Sequence, residues 1–328
     1  MFRQVTTRTA LFLALALTMA AGHGGEASTM LPQLPEGEGL AARYPGDLGI
    51  EEAPEVVFAD GFEEIEDDRL APDTEPQKGK KWDSSYNGLG ITRDPENVHS
   101  GGQAAEVTHT QPSGNNAIKE FEPGFETLFV RYYMKYHPEF PGCHHTGMCI
   151  FGGAPGVTLA MGSATGVVPD GRSHFVALLD TLPPRRSSGL RPPGNMDVYC
   201  YHMDQGRIWG DLLFPAGEVV PPENKWLFEE NFRPRPNINV ERGRWYCYEL
   251  MIKLNAPDER DGRVAFWVDG KLSGDFPNLR FRNTEDLKAN HAVILVHSSR
   301  TAPYKTLWYD DVVVATSYIG PQAPVTGD

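Results

Sequence analysis

The sequence predicts an all-β fold, a sandwich or jelly roll of two antiparallel sheets. Three features predict it: short runs of alternating apolar and polar residues, Gly, Pro, Asn and Asp between them, and no long segment of helical periodicity. Period-two runs fall at Val56–Phe62, Gln103–His109, Leu128–Tyr136, His174–Asp180 and Asp197–His202, and again at Trp245–Leu254, Val264–Val268, His291–His297 and Leu307–Ala315. Their span, taken as residues 55–320, suits one all-β domain, since such folds commonly run about 200–250 residues.

The segments outside that span read as export and spacing. Arg3 and Arg8 precede an apolar run from Ala10 to Ala21, with Ala20 and Gly22 spaced as a cleavage site, so residues 1–22 have the pattern of a secretory signal. The run is too short for a bilayer core, which needs about 20 apolar residues. No later segment is longer and no Cys follows the run, so neither a membrane span nor a lipid anchor is expected. The mature chain is expected outside the cell or in a periplasm, as a monomer.

Charge is uneven along the chain. The formal net charge is −14, and residues 35–76 alone carry 14 acidic and 2 basic side chains. Residues 23–54 accordingly read as an acidic, Pro/Gly-rich solvated linker, with too few apolar groups to offset the entropy of ordering, and 321–328 as a tail. From residue 77 onward the net charge is only −3. An anionic polysaccharide is therefore not repelled, whereas the basic stripe of a nucleic-acid binder is missing.

Four cysteines in an exported chain allow three pairings. Cys143–Cys149 and Cys200–Cys247 are expected. A metal reading of CHHTGMC (143–149) yields to pairing, because thiols in an oxidising compartment usually form disulfides.

Strand parity separates core from surface. In Leu128–Tyr136, Val130, Tyr132, Met134 and Tyr136 share one face, expected inside. Phe129, Arg131, Tyr133 and Lys135 share the other, expected to offer two cations and a phenol to a carboxylate-bearing ligand, or to form a solvated face. If the cysteines are bridged across neighbouring strands, Tyr199, Tyr201, Tyr246 and Tyr248 lie together on the opposite side as an aromatic platform. Core filling is the alternative, and the stronger one for Tyr246 and Tyr248. Two long loops remain: the basic Pro183–Asn195, with Arg185 and Arg186, and Phe214–Glu241.

The segments LFVRYYMKY, GMCIFGG, VYCYHMDQ, GRWYCYELMIKLN, DGRVAFWVDG and NLRFRN follow one another between Phe121 and Arg300. In that order they resemble polysaccharide lyase family 14 and the related alginate and glucuronan lyases. The resemblance implies a concanavalin-like β-jelly roll and β-elimination on a uronic-acid-containing polysaccharide. In that chemistry cations neutralise the uronate, a base removes the C5 proton and a tyrosine protonates the leaving oxygen. The family's Tyr-x-Tyr is matched by Tyr199 and Tyr201, and His144 or His145 stands where it has lysine. The segment expected to hold its Ser-x-Arg reads SHFVALLD (173–180), without an arginine. Charge would then come from Arg131, Lys135, Arg185 or Arg186, and substrate contacts from Tyr133, Tyr246 and Tyr248. The missing arginine motivates a second reading, a non-catalytic carbohydrate-binding module. A glycoside hydrolase would want two facing carboxylates, and it ranks last because no closely spaced Glu/Asp pair on a strand resembles the glucanase pattern.

Related sandwiches bind a structural Ca²⁺ where first and last strands meet. FADGFEE and LWYDDVVVA supply Asp60, Glu63, Asp310 and Asp311, with the 97–101 turn, as hard oxygen donors. A solvated acidic edge is the alternative.

Overall fold

Alternation along the chain is realised as 17 strands among the described residues of the computed structural model. It describes residues 31–72, 77–109, 113–157, 164–182, 189–299 and 303–325. The expected signal segment and Arg185 and Arg186 lie outside the described residues. The chain divides into units 1–32 and 33–328, and all that follows concerns the second.

One sheet holds β1 (Val56–Asp60), β2 (Arg69–Leu70), β4 (Leu89–Thr92), β5 (Ala104–His109), β7 (Thr127–Tyr136), β13 (Trp245–Lys253), β14 (Gly262–Val268), β15 (Lys271–Leu279) and β17 (Lys305–Ala315). Its order is β15-β14-β13-β7-β17-β5-β4-β2, with β1 also on β17. The other sheet holds β3 (Ser84–Tyr86), β6 (Ser113–Phe125), β8 (Met148–Gly153), β9 (His174–Leu182), β10 (Asn195–Tyr201), β11 (Asp211–Leu213), β12 (Val219–Val220) and β16 (Ala289–Ser298). Its order is β12-β11-β10-β9-β8-β16-β6-β3, and the pairs in both sheets are antiparallel. This is the expected jelly-roll sandwich.

Inward-facing residues of the two sheets form one core. Val130, Tyr132 and Tyr248 of the first sheet meet Ile150, Leu179, Val198 and Ile294 of the second. The parity predicted for β7 is observed: Val130, Tyr132, Met134 and Tyr136 all face this core. The loop 214–241 is not open chain. It carries β12 and a 3-10 turn at Pro222–Phe228, and Phe228 and Phe232 pack against Phe276 of β15.

The acidic leader is a strap, which corrects the linker expectation. Leu40, Ala41, Ile50 and Ala53 are buried on the outer face of the first sheet, among Phe129, Met251, Trp267 and Val313. Withdrawing a side chain such as Leu40 or Ile50 from water stabilises the fold by roughly 2 kcal/mol each. Summed composition hid four apolar residues that meet one apolar sheet face. The carboxylates are engaged as well: Asp47 pairs with Arg131, and Glu36 accepts the Leu272 N–H at 2.8 Å. The domain thus begins near residue 33. Its end is also packed, since Ala323 accepts the Gly46 N–H at 2.8 Å and Gln322 donates its backbone N–H to the Tyr133 hydroxyl at 2.9 Å.

All four cysteines are free and buried, so the expected disulfides are absent. Strand parity gives the reason. Cys200 and Cys143 face the core between the sheets, and Cys149 faces outward from the second sheet. Cys247 lies opposite Tyr133 on the outer face of the first sheet, so neither expected pair shares a side.

Candidate functional site

The site is built on the outer face of the second sheet. Tyr199 and Tyr201 alternate with Cys200 along β10, so with Cys200 in the core both phenols point outward. Tyr199 is half-buried and Tyr201 is buried. Tyr199 donates its hydroxyl proton to the Tyr201 oxygen at 3.3 Å. Backbone N–H groups of Gly210 and Gly166 donate to the two phenols at 3.2 and 3.3 Å respectively. Burial, then the contact with Tyr201, raises the Tyr199 pKa above the usual tyrosine range, so this phenol stays protonated.

The 143–147 turn brings histidines to the phenols. Its inner side is fixed by the core: Gly147 and Met148 donate backbone N–H groups to the Tyr309 and Tyr132 hydroxyls at 3.0 and 3.3 Å. Only glycine fits at 147, where φ is +88° and a Cβ would lie 2.4 Å from the Leu179 carbonyl oxygen. On the outer side His145 and His297 exchange backbone hydrogen bonds at 2.9 and 3.0 Å. Their rings therefore stand on one face with that of His144, which stacks on His145 at 4.2 Å. His145 lies 4.9 Å from Tyr199, centroid to centroid.

Asp180 orients this imidazole. Its Oδ2 lies 2.6 Å from His145 Nδ1, while Oδ1 accepts the backbone N–H groups of Thr146 and Thr181 at 2.9 and 2.8 Å. A carboxylate acceptor places the proton on Nδ1 and leaves the Nε2 lone pair free to act as a base. Burial and the neighbouring His145 lower the His144 pKa to about 4, so His144 is neutral near pH 7. Burial and His145 also lower that of His297. Asp197, directly across from Asp180 on β10, is fully buried, and burial followed by Asp180 holds its pKa well above the carboxylate range.

Positive charge comes from a residue the sequence reading missed. Arg207 Nη2 donates to the Gly210 and Val220 carbonyl oxygens at 2.9 and 3.0 Å, and the Gly210 N–H in turn donates to the Tyr199 hydroxyl. It lies six residues after Tyr201 in the β10–β11 turn. Asp180 and His297 were also missed, because only the three-dimensional pairing of β8, β9 and β16 brings them to the tyrosines.

The remaining expected residues are elsewhere. Arg131, Tyr133 and Lys135 do share a face, but on the far sheet and under cover. Arg131 is fully buried against Asp47, and Lys135 donates to the Glu96 carbonyl beneath the Trp308 ring. Strap, tail and the 95–97 turn occupy the surface expected to be open. Tyr246 and Tyr248 face the core between the sheets, so the four-tyrosine platform is two tyrosines.

The four expected ion ligands divide. Asp60 turns inward and accepts the Trp82 indole N–H at 2.8 Å. Glu63, Asp310 and Asp311 surround the 99–103 turn: Glu63 accepts the Gly102 N–H at 2.9 Å, Asp310 the His99 N–H at 2.9 Å, and Asp311 the Ser100 hydroxyl at 2.8 Å. Burial and then Asp311 push the Asp310 carboxyl up to about 9. Asp311 also pairs with His99, whose Nδ1 lies 2.7 Å from its Oδ2. No three His, Cys, Asp or Glu side chains close on one point among the described residues, so the shell would need the Ser100 hydroxyl and backbone carbonyls.

The chain is similar to solved jelly-roll polysaccharide lyases. The PL-14 alginate lyase from Aplysia kurodai shares 13% identity with a TM-score of 0.47, over 71% of this chain and 90% of the other. The endo-β-1,4-glucuronan lyase from Trichoderma reesei gives 13% and 0.47, over 82% and 99%. The alginate lyase Aly36B gives 17% and 0.46, over 69% and 86%. No protein-family model matches the chain, and no curated protein does. At these identities and TM-scores the likenesses assign no activity, and the jelly roll rests on its own two sheets. Among the described residues no helix is long and apolar enough to cross a membrane.

Proposed function

We propose that this protein is an exported polysaccharide lyase that cleaves a uronic-acid-containing polymer by β-elimination. The observation that carries the reading is the contact between the Tyr199 ring and the His145 ring at 4.9 Å, with Asp180 behind His145. His145 Nε2 removes the C5 proton and the C5–H electrons form the C4–C5 double bond. The C4–O bond breaks and Tyr199, held protonated, gives its proton to the leaving oxygen. Arg207 supplies charge for the uronate carboxylate, and neutral His144 and His297 supply imidazole N–H donors. Acid and base stand on one face, which fits elimination from one side of the sugar.

The test is to incubate the folded domain with alginate, glucuronan and related polyuronates and to follow ultraviolet absorbance of the new double bond. Absence of signal on every polyuronate contradicts the reading.

A non-catalytic glycan-binding module is the second reading, favoured by the absence of an arginine in 173–180 and by the burial of Arg131. Glycan binding without turnover, persisting in Tyr199→Phe and His145→Gln, distinguishes it. A Ca²⁺ held by Glu63, Ser100 and Asp311 would offset the carboxylate repulsion at Asp310 and tie the strand ends together. Calorimetric unfolding with and without chelator tests it, a lowered Tm supporting the ion and an unchanged Tm opposing it.

A further inference from the structure

Resting on that reading, we infer that Trp209 forms a second sugar subsite beside the phenols, taking the C–H face of the pyranose next to the one being cleaved. Trp209 is exposed (49%), as are its chain neighbour Ile208 (53%) and, next to the Gly166 that its ring faces, Val167 (42%) and Val168 (39%). Water-facing aliphatic groups gathered round a flat indole are costly for a soluble surface unless something covers them.

The placement is tied to the reacting centre through two short loops. Gly210, which follows Trp209, donates its N–H to Tyr199, and Gly166 donates its N–H to Tyr201. The far edge of the Trp209 indole faces Gly166, 3.5 Å from where a Cβ there would stand. Gly210 leaves no room for a side chain, since a Cβ would meet the Cys200 carbonyl oxygen at 2.8 Å and the Tyr201 ring at 2.9 Å. Arg207 ties the same turn by donating to the Gly210 carbonyl oxygen. The backbone that carries the indole is thus held, so a ligand ordering on it need not also order the turn.

The chemistry selects a sugar ring over other occupants. A pyranose has apolar C–H faces and hydroxyls at its rim, and an indole bordered by two phenolic hydroxyls and a guanidinium matches both. A ring on Trp209 is contiguous with one at Tyr199, so the two would be consecutive units of one acidic chain.

Calorimetry with oligouronates of increasing length, on a His145→Gln background that stops turnover, tests the inference. Trp209→Ala is expected to weaken binding of the longer oligomers about tenfold while changing the shortest one little. Trp209→Phe, which keeps a stacking face, is expected to recover most of the loss, and circular dichroism identifies a misfolded variant. Equal affinities for parent and Trp209→Ala at every length overturn the subsite but leave the lyase reading intact. A concentration-dependent dimer lost in Trp209→Ala, with glycan affinity unchanged, assigns the patch to self-association and also overturns it. Failure of the parent to bind any oligouronate removes the underlying reading, and the subsite with it.

Discussion

His145 Nδ1 and Asp180 Oδ2 lie 2.6 Å apart, joining the 143–147 turn to the C-terminal end of β9. The same carboxylate receives the backbone N–H groups of Thr146 and Thr181, so it cannot swing away from the imidazole without losing two further hydrogen bonds. Asp180 is a positioning residue: it fixes which ring nitrogen is bare toward Tyr199.

Asp180→Asn presents an amide that can donate as well as accept, and the wrong tautomer of His145 becomes available. The expected result is a fall in kcat of about 10²- to 10⁴-fold, the usual worth of a general base, with KM little changed. A variant with wild-type kcat and an unaltered pH–rate profile would remove Asp180 from the mechanism.

The strap makes a separate prediction. Arg131 is fully buried and Asp47 is its carboxylate partner. Asp47→Ala leaves an uncompensated buried guanidinium, at a cost of about 3–5 kcal/mol. Thermal unfolding is expected well below that of the wild type, and limited proteolysis is expected to cut first within residues 33–54. Resistance of that segment in Asp47→Ala would mean that the apolar contacts alone hold it.

Glu249 gives the strap face a pH dependence. Its carboxyl, buried while accepting the Ile319 and Gly320 N–H groups, is pushed by burial from 4.5 up to about 7. The folded state therefore binds this proton more tightly than the unfolded chain does. The resulting stability is full below about pH 4.5 and is lost as pH rises through about 7, a change on the order of 3 kcal/mol. Asp60, pushed up to about 6 by burial, has the same sign. Melting between pH 5 and pH 8 should fall more steeply for the wild type than for Glu249→Gln, and parallel curves would contradict the assignment.

Free thiols are the fourth expectation. With all four cysteines unpaired and buried, a reductant should leave the melting temperature unchanged. A thiol reagent should find almost nothing in the native protein and four groups after denaturation. Two or fewer on denaturation would mean that bridges form.

The strands were legible where alternation extends over a long run, as in β7, β10 and β13, whereas β4 alternates over only four residues, too few to stand out. β8 has no such run, because every one of its residues is buried and period-two contrast disappears when both faces are covered. Of the site, Tyr199, Tyr201, His144 and His145 could be read, since each pair is adjacent or alternates on one segment. Asp180 and His297 could not, because they reach His145 only through cross-strand pairing across about 35 and 150 residues. Arg131 and Lys135 misled for a related reason. Their parity was right, but which sheet they occupy, and what covers it, is a property of the whole chain.

The most direct measurement is the rate of double-bond formation on a polyuronate by the wild type beside Tyr199→Phe and Tyr201→Phe. The mechanism requires a transferable proton on Tyr199, so Tyr199→Phe should lose about 10²-fold or more while Tyr201→Phe, lacking only a supporting hydroxyl, loses less. Turnover in Tyr199→Phe equal to that of the wild type would show that this phenol does not protonate the leaving oxygen.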